Sequence, residues 1–202
     1  MPRRLRAPSP PLADDAIRLD LLDSRYAADF ERLLEDPEVV RNTRVPSAPP
    51  ADFVSTWLGR YSEGWRDGSR AGFAVLSTEG QFLGFGGIVD LDLDAGQGEI
   101  GYVVAREARG RGIARRALGL ITGWALDDLG LERVELRIDP ENTASIRVAE
   151  GCAYIREGVL RSLHFKENLR ADTVIYSLLR SDPRRPASAE RAVRHTPTLG
   201  GG

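Results

Sequence analysis

Five arginines and two glycines fall within eleven residues, Arg106 to Arg116, directly behind an apolar extended run, Ile100 to Ala105. The arginines are Arg106, Arg109, Arg111, Arg115 and Arg116; Gly110 and Gly112 punctuate them, and a helical pattern opens at Ile113. A strand, a glycine-bearing loop and a helix N-terminus together form a phosphate-holding arrangement. Glycine lets the backbone approach an anion, and the first helical turn offers N–H groups without intrahelical partners at the positive end of the dipole. Guanidinium groups add charge-assisted hydrogen bonds. No Lys-Ser/Thr pair closes the loop, which excludes a Walker loop, and the glycines are too few and too close for a dinucleotide fingerprint. The alternative is a basic strand-to-helix turn that holds nothing. Glu99 heads the same strand, either as a proton acceptor or as an ordinary exposed carboxylate.

The segment Arg109-x-x-Gly112-x-Ala114 resembles the pyrophosphate-binding motif, Gln/Arg-x-x-Gly-x-Gly/Ala, of the GNAT superfamily of N-acetyltransferases. Asn142-x-x-Ser145 after a strand, followed by Ala153-Tyr154, is similar to that superfamily's second signature. Glu99-Ile100-Gly101-Tyr102 and the run Asp172 to Leu179 resemble the branch that acetylates the N-termini of ribosomal proteins. The likeness spans residues 16–180.

That resemblance implies an α+β (mixed α/β) fold: a mostly antiparallel, seven-stranded sheet flanked by about four helices. Two adjacent strands, residues 97–105 and 133–138, would part into a V-shaped cleft for acetyl-CoA. Pantetheine would lie against the backbone of Val103 and Val104, with Asn142 bonding it. Arg109, Gly110, Arg111, Gly112, Ile113, Ala114 and Arg115 would hold the pyrophosphate. A backbone N–H around Tyr102 or Val103, freed by a bulge, would hold the thioester oxygen. Glu99 is the implied base for the amine and Ser145 the implied acid for the leaving thiolate. Ser145 can equally serve only to solvate or cap the helix. Many relatives carry a tyrosine seven residues after the motif asparagine; here that position is Ala149.

The implied activity is acetyl transfer to a primary amine, either a protein or peptide N-terminus or a small molecule. The absent tyrosine supports an alternative, a CoA-binding sensor or regulatory module of the same fold.

Composition bounds these readings. The 202 residues carry a net charge of −2, with 42% hydrophobic and 29% charged residues, so no global field draws the chain to nucleic acid or membrane. Lys166 is the single lysine among 28 basic residues. Such a bias weakens any one arginine as evidence but does not by itself predict five in eleven. One cysteine, Cys152, excludes an internal disulfide, and two histidines exclude an ordinary His/Cys zinc site. The resemblance implies acetyl-CoA and an amine as partners, and the composition adds no metal, no nucleic acid and no membrane, in a cytoplasmic protein. A homodimer is left open.

The elements that must position these residues follow from periodicity. Ile17, Leu19 and Leu21 alternate as a first strand. Tyr26 to Leu34 has helical spacing and is stopped by Asp36-Pro37; Arg41 to Pro50 reads as a loop. A helix runs from Asp52 to the Gly64–Gly68 region. Strands follow at Phe73–Ser77, Phe82–Leu93 and Glu99–Ala105, with Gly84, Gly86 and Gly87 marking close backbone approach. Ile113 to Leu129 is one helix ended by Gly130, Val134–Ile138 a strand, and Thr143–Gly151 a short helix. Tyr154–Leu160 and Thr173–Leu179 are the last strands, joined by a polar loop, His164 to Arg170. His164, Asn168, Arg41 and Arg44 are candidates for an acceptor wall. Residues 1–15 read as a flexible arm and 181–202 as a disordered tail.

Overall fold

The computed structural model describes residues 5–184. Seven strands occur among them: β1 (Ile17–Leu21), β2 (Ala71–Ser77), β3 (Phe82–Asp92), β4 (Gln97–Val104), β5 (Arg133–Ile138), β6 (Ile155–Lys166) and β7 (Leu169–Leu179). Five α-helices accompany them: α1 (Ala27–Leu34), α2 (Pro37–Asn42), α3 (Phe53–Asp67), α4 (Ile113–Gly123) and α5 (Thr143–Gly151). The sheet order is β1-β2-β3-β4-β5-β7-β6. Every neighbouring pair is antiparallel except β4 and β5, which are parallel because α4 intervenes as a crossover.

The β4–β5 ladder is short. It joins Gln97 to Arg133, Gly98 to Val134 and Glu99 to Glu135, and then stops, although β4 continues to Val104 and β5 to Ile138. This is the expected V-shaped cleft, and it opens at Glu99. No bulge frees the backbone at Tyr102 and Val103; β4 stays in unbroken register with β3 from Glu99 to Val104. The strands part instead, leaving the β5-facing edge of Ile100–Val104 without a ladder partner. Gly84 makes this geometry possible on the β3 side: a Cβ there would stand 2.2 Å from the Val103 carbonyl oxygen.

Both faces of the central strands are covered, which explains why β2 is buried at every position, whereas most of β6 is exposed. Leu22, Phe30, Leu58, Tyr61 and Phe85 form the cluster under α1 and α3, which Val103 joins. Ile88, Ile100, Leu118, Ile121, Trp124 and Tyr154 form the larger one under α4, with Tyr102 and Val104 packed against it.

Three elements differ from the sequence reading. Asp36-Pro37 ends α1 but also starts α2: Asp36 accepts a hydrogen bond from the Glu38 N–H, and Pro37 takes the first helical position, where its missing N–H costs nothing. The helix expected to run to Leu129 is regular only to Gly123. It then widens into a π turn, Trp124–Asp128, in which the Leu129 N–H reaches the Trp124 carbonyl and the indole stays buried. The expected loop His164–Arg170 is instead the tip of a long β6–β7 hairpin. Glu167 and Asn168 both have positive φ there, as a two-residue turn of mirror-image type demands.

At the N-terminal end Leu5 and Leu12 pack against the core, and Arg116 pairs with Asp14 at 2.8 Å and Asp15 at 2.6 Å. At the other end Arg184 pairs with Asp127 at 2.7 Å. Most of the segment read as a tail, from residue 185 on, lies outside the described residues, as do residues 1–4.

Candidate active site

The phosphate-type loop keeps its expected shape. Gly110 and Gly112 have φ of 72° and 76°, and no heavy atom lies within 4 Å of where either Cβ would stand. Among the described residues no side chain caps the first turn of α4, and Ile113 is buried and anchors the helix. Ala114 and Arg115 are half-buried, and Arg115 lies beside Gly151 at the end of α5.

The arginines divide the work. Arg109 Nε donates to the Val104 carbonyl at 3.2 Å, while its Nη2 meets Asp36 at 2.5 Å and its Nη1 meets the Glu38 carboxylate. Arg106 reaches the other Asp36 oxygen at 3.3 Å. Burial opposes ionisation of Asp36, but the Glu38 N–H and these two guanidinium groups outweigh it and hold its pKa below the usual value. The guanidinium of Arg109 is thus committed to α2. Arg111 is exposed, with no hydrogen bond or ion pair among the described residues.

Glu99 stands where β4 and β5 part, its side chain 12% exposed. Its Oε2 is 3.2 Å from Arg137 Nη1 and 3.6 Å from Arg44 Nη2, yet it accepts no hydrogen bond. Burial raises its pKa, and Arg137 and Arg44 only partly counter that effect. Glu99 is therefore a nearly enclosed, ion-paired carboxylate rather than an exposed one. Arg137 also contacts Glu135 at 2.9 Å and Asp90 at 3.9 Å.

Across the cleft, Asn142 caps α5: its Oδ1 accepts the Ser145 N–H at 3.0 Å. Its side-chain amide nitrogen makes no hydrogen bond among the described residues. Ser145 is half-buried, and its backbone carbonyl accepts the Tyr102 phenol at 3.4 Å. Burial pushes the Tyr102 hydroxyl up to about 12, so it stays protonated. Glu99 and Ser145 share no polar partner; one lies with Arg44 and Arg137, the other with Asn142 and Tyr102. Ala149 is fully buried, Tyr154 bonds Thr122 inside the core at 2.7 Å, and the Cys152 thiol is pushed by burial up to about 11, which suits packing.

Of the acceptor-wall candidates, only Arg44 reaches Glu99. Arg41 pairs with Glu141 at 3.0 Å. His164 is half-buried, its pKa lowered by burial and then by Arg44 and Lys166. Asn168 is exposed at the hairpin turn.

Residues 17–155 match the family model of the acetyltransferase (GNAT) domain. The chain belongs to the GNAT acetyltransferase family. It is 26% identical over 148 residues to "Uncharacterized N-acetyltransferase p20" of Bacillus licheniformis, covering 73% of this chain and 83% of that one. It is 30% identical over 129 residues to "Putative ribosomal N-acetyltransferase YdaF" of Bacillus subtilis (strain 168), covering 64% and 68%. The fold matches that of spermidine N-acetyltransferase from Vibrio cholerae, solved with CoA and spermine, at a TM-score of 0.72 and 18% identity over 83% of this chain and 98% of that one.

The GNAT acyl donor is acetyl-CoA, and the loop suits its pyrophosphate: two glycines with open space beside them and, among the described residues, an uncapped helix start and no ion pair on Arg111. The sequence reading missed three polar groups that contact the candidate residues: Asp36, Arg137 and the Tyr102 phenol. Arg137 had a weak signal, since it lies two positions past Glu135 and therefore on the same face of β5. Asp36 had none, because its partners are 70 and 73 residues away. Among the described residues no helix is long and apolar enough to cross a membrane.

Proposed function

We propose that this GNAT domain transfers the acetyl group of acetyl-CoA to a primary amine by direct attack in a ternary complex, with Glu99 as the base. The observation that carries the reading is the enclosed carboxylate at the point where β4 and β5 separate. Acetyl-CoA supplies an electrophilic thioester, and the protein's tasks are to place the amine, remove its proton and return one to sulfur. Glu99 has a pKa raised by burial, which makes its carboxylate a stronger base than a solvated one. An α-amine is neutral to about 10% at pH 7, so a base of this strength, acting directly or through one water, suffices for it.

Unpaired backbone N–H groups on the β5-facing edge of β4 hold the thioester oxygen in this reading. The phosphates sit at the start of α4, held by backbone N–H groups with Arg111 and Arg115 within reach, and the side-chain amide of Asn142 meets the pantetheine arm. Ser145 returns the proton to the thiolate, since Ala149 has no group to do so. The acceptor is a protein or peptide N-terminus or a small amine, and the cytoplasm, where acetyl-CoA is supplied, is the setting.

The test is thiol release from acetyl-CoA with a panel of amines, with mass spectrometry of the products. Thiol release matched by an acetylated amine is the expected result. Thermal stabilisation by acetyl-CoA without thiol release from any amine would overturn the reading in favour of a CoA sensor.

A further inference from the structure

The charged groups around Glu99 are unevenly distributed, with more carboxylates on one side and the less committed cations on the other. On the strand side lie three carboxylates, Glu99, Glu135 and Asp90, and Arg137 is shared among all three at 3.2, 2.9 and 3.9 Å. On the loop and hairpin side lie cations. Arg44 comes within 3.6 Å of Glu99, its side chain is 61% exposed, and its guanidinium makes no hydrogen bond among the described residues. Lys166 donates to the carbonyls of Val40 and Thr43, at 2.5 and 3.3 Å, and has no ion pair among the described residues. His164 is close enough to feel both charges. Of the nearby opposing carboxylates, Glu141 is matched by Arg41, Glu167 is held by the Ser47 N–H and hydroxyl and acts on Lys166, and Asp139 acts on His164 and accepts the Glu141 N–H at 2.8 Å.

The backbone carrying Arg44 is fastened on both sides. The Thr43 hydroxyl donates to the Val39 carbonyl at 2.7 Å, and the Ser47 N–H and hydroxyl both donate to the Glu167 carboxylate, at 2.6 and 3.0 Å. Arg44 is thus a planar, five-donor cation presented by a fixed loop beside the base, with its donors unused. A counter-ion for Glu99 alone would not need that exposure, because Arg137 already lies closer.

We propose that the acceptor is a small zwitterionic amine whose reacting nitrogen lies within a few bonds of a carboxylate or phosphate, and that Arg44 reads that anion. This deepens the transferase reading and rests on it. The amine is drawn to the carboxylate side and its anionic group to Arg44, as charge-assisted, two-pronged recognition favours. A polyamine fits poorly, since its second ammonium would meet Arg44 and Lys166.

The test compares L-serine, O-phospho-L-serine, L-serinamide and spermidine as acceptors for the full chain, wild type and Arg44→Gln. Expected are kcat/KM values at least tenfold higher for serine or phosphoserine than for serinamide and spermidine. In Arg44→Gln that excess falls about tenfold, through KM, and Arg44→Lys recovers part of it. Preference for phosphoserine over serine assigns the anion as phosphate, and the reverse as carboxylate. An equal fall for all four amines in Arg44→Gln would reduce Arg44 to a counter-ion and overturn the inference, as would a preference for spermidine or serinamide. Calorimetric titration of the CoA-loaded protein with the same compounds reads the preference without turnover. Thiol release failing with every amine would therefore count against the transferase reading alone, whereas equal binding of serine, phosphoserine and serinamide would overturn this one.

Discussion

At the scale of single residues, the site depends on how a carboxylate behaves when burial and two guanidinium groups act on it in opposite senses. Burial disfavours the charged form of Glu99 and raises its pKa; Arg137 and Arg44 favour that form and pull it back. Removing Arg137 takes away a lowering influence, so the Glu99 pKa should rise further. In Arg137→Gln the acidic limb of kcat/KM should therefore move to higher pH, by about one unit if Arg137 contributes about 1.4 kcal/mol. A pH–rate profile with a fixed acceptor checks this, and an unmoved or acid-shifted limb would mean that Glu99 is not the group titrating.

At the scale of elements, the cofactor loop is a device of backbone shape, with its arginines in separate roles. Arg109 does not project freely toward an anion. It ties the loop to the start of α2 through the ionised Asp36, and α2 in turn leads to Thr43 and to Arg44 beside Glu99. In the proposed reading the anion meets the turn itself, where Gly110 and Gly112 carry positive φ and open space. Gly112→Val puts a β-branched residue into that φ range and a side chain over the first-turn N–H groups. Acetyl-CoA affinity should fall at least tenfold, measured by calorimetry, while the melting temperature drops by only a few degrees, since no neighbour is struck. Unchanged affinity would remove the loop from the cofactor site.

At the scale of the whole molecule, what the sequence showed and what it hid divide along physical lines. The strand–loop–helix around Gly112 was legible because its glycines, arginines and helical periodicity lie within one short stretch. Glu99 was legible as a position but not as an environment, since its partners come from residues 44 and 137. Helix α2 stayed hidden because six residues cannot show a period, and because Asp36-Pro37 stops one helix with the same chemistry that starts the next. The β6–β7 hairpin was cut short because most β6 side chains are exposed, which erases the apolar alternation that marks a half-buried strand. The π turn at Trp124 is set by fitting the indole among Trp65 and Phe73, contacts made far along the chain.

The claim on which the rest depends is that one carboxylate at the parting of two strands takes the proton of the attacking amine. The most direct measurement is the pH dependence of kcat/KM for wild type and Glu99→Gln with the same amine. Glu99→Gln keeps the side chain's size but cannot accept the proton, so turnover near neutrality should fall about 10²-fold or more with acetyl-CoA affinity retained. The deficit should shrink as pH rises and the amine becomes neutral without help. Wild type and Glu99→Gln showing the same profile at rates within twofold of each other would contradict the account, and would leave catalysis to the alignment of the two substrates alone.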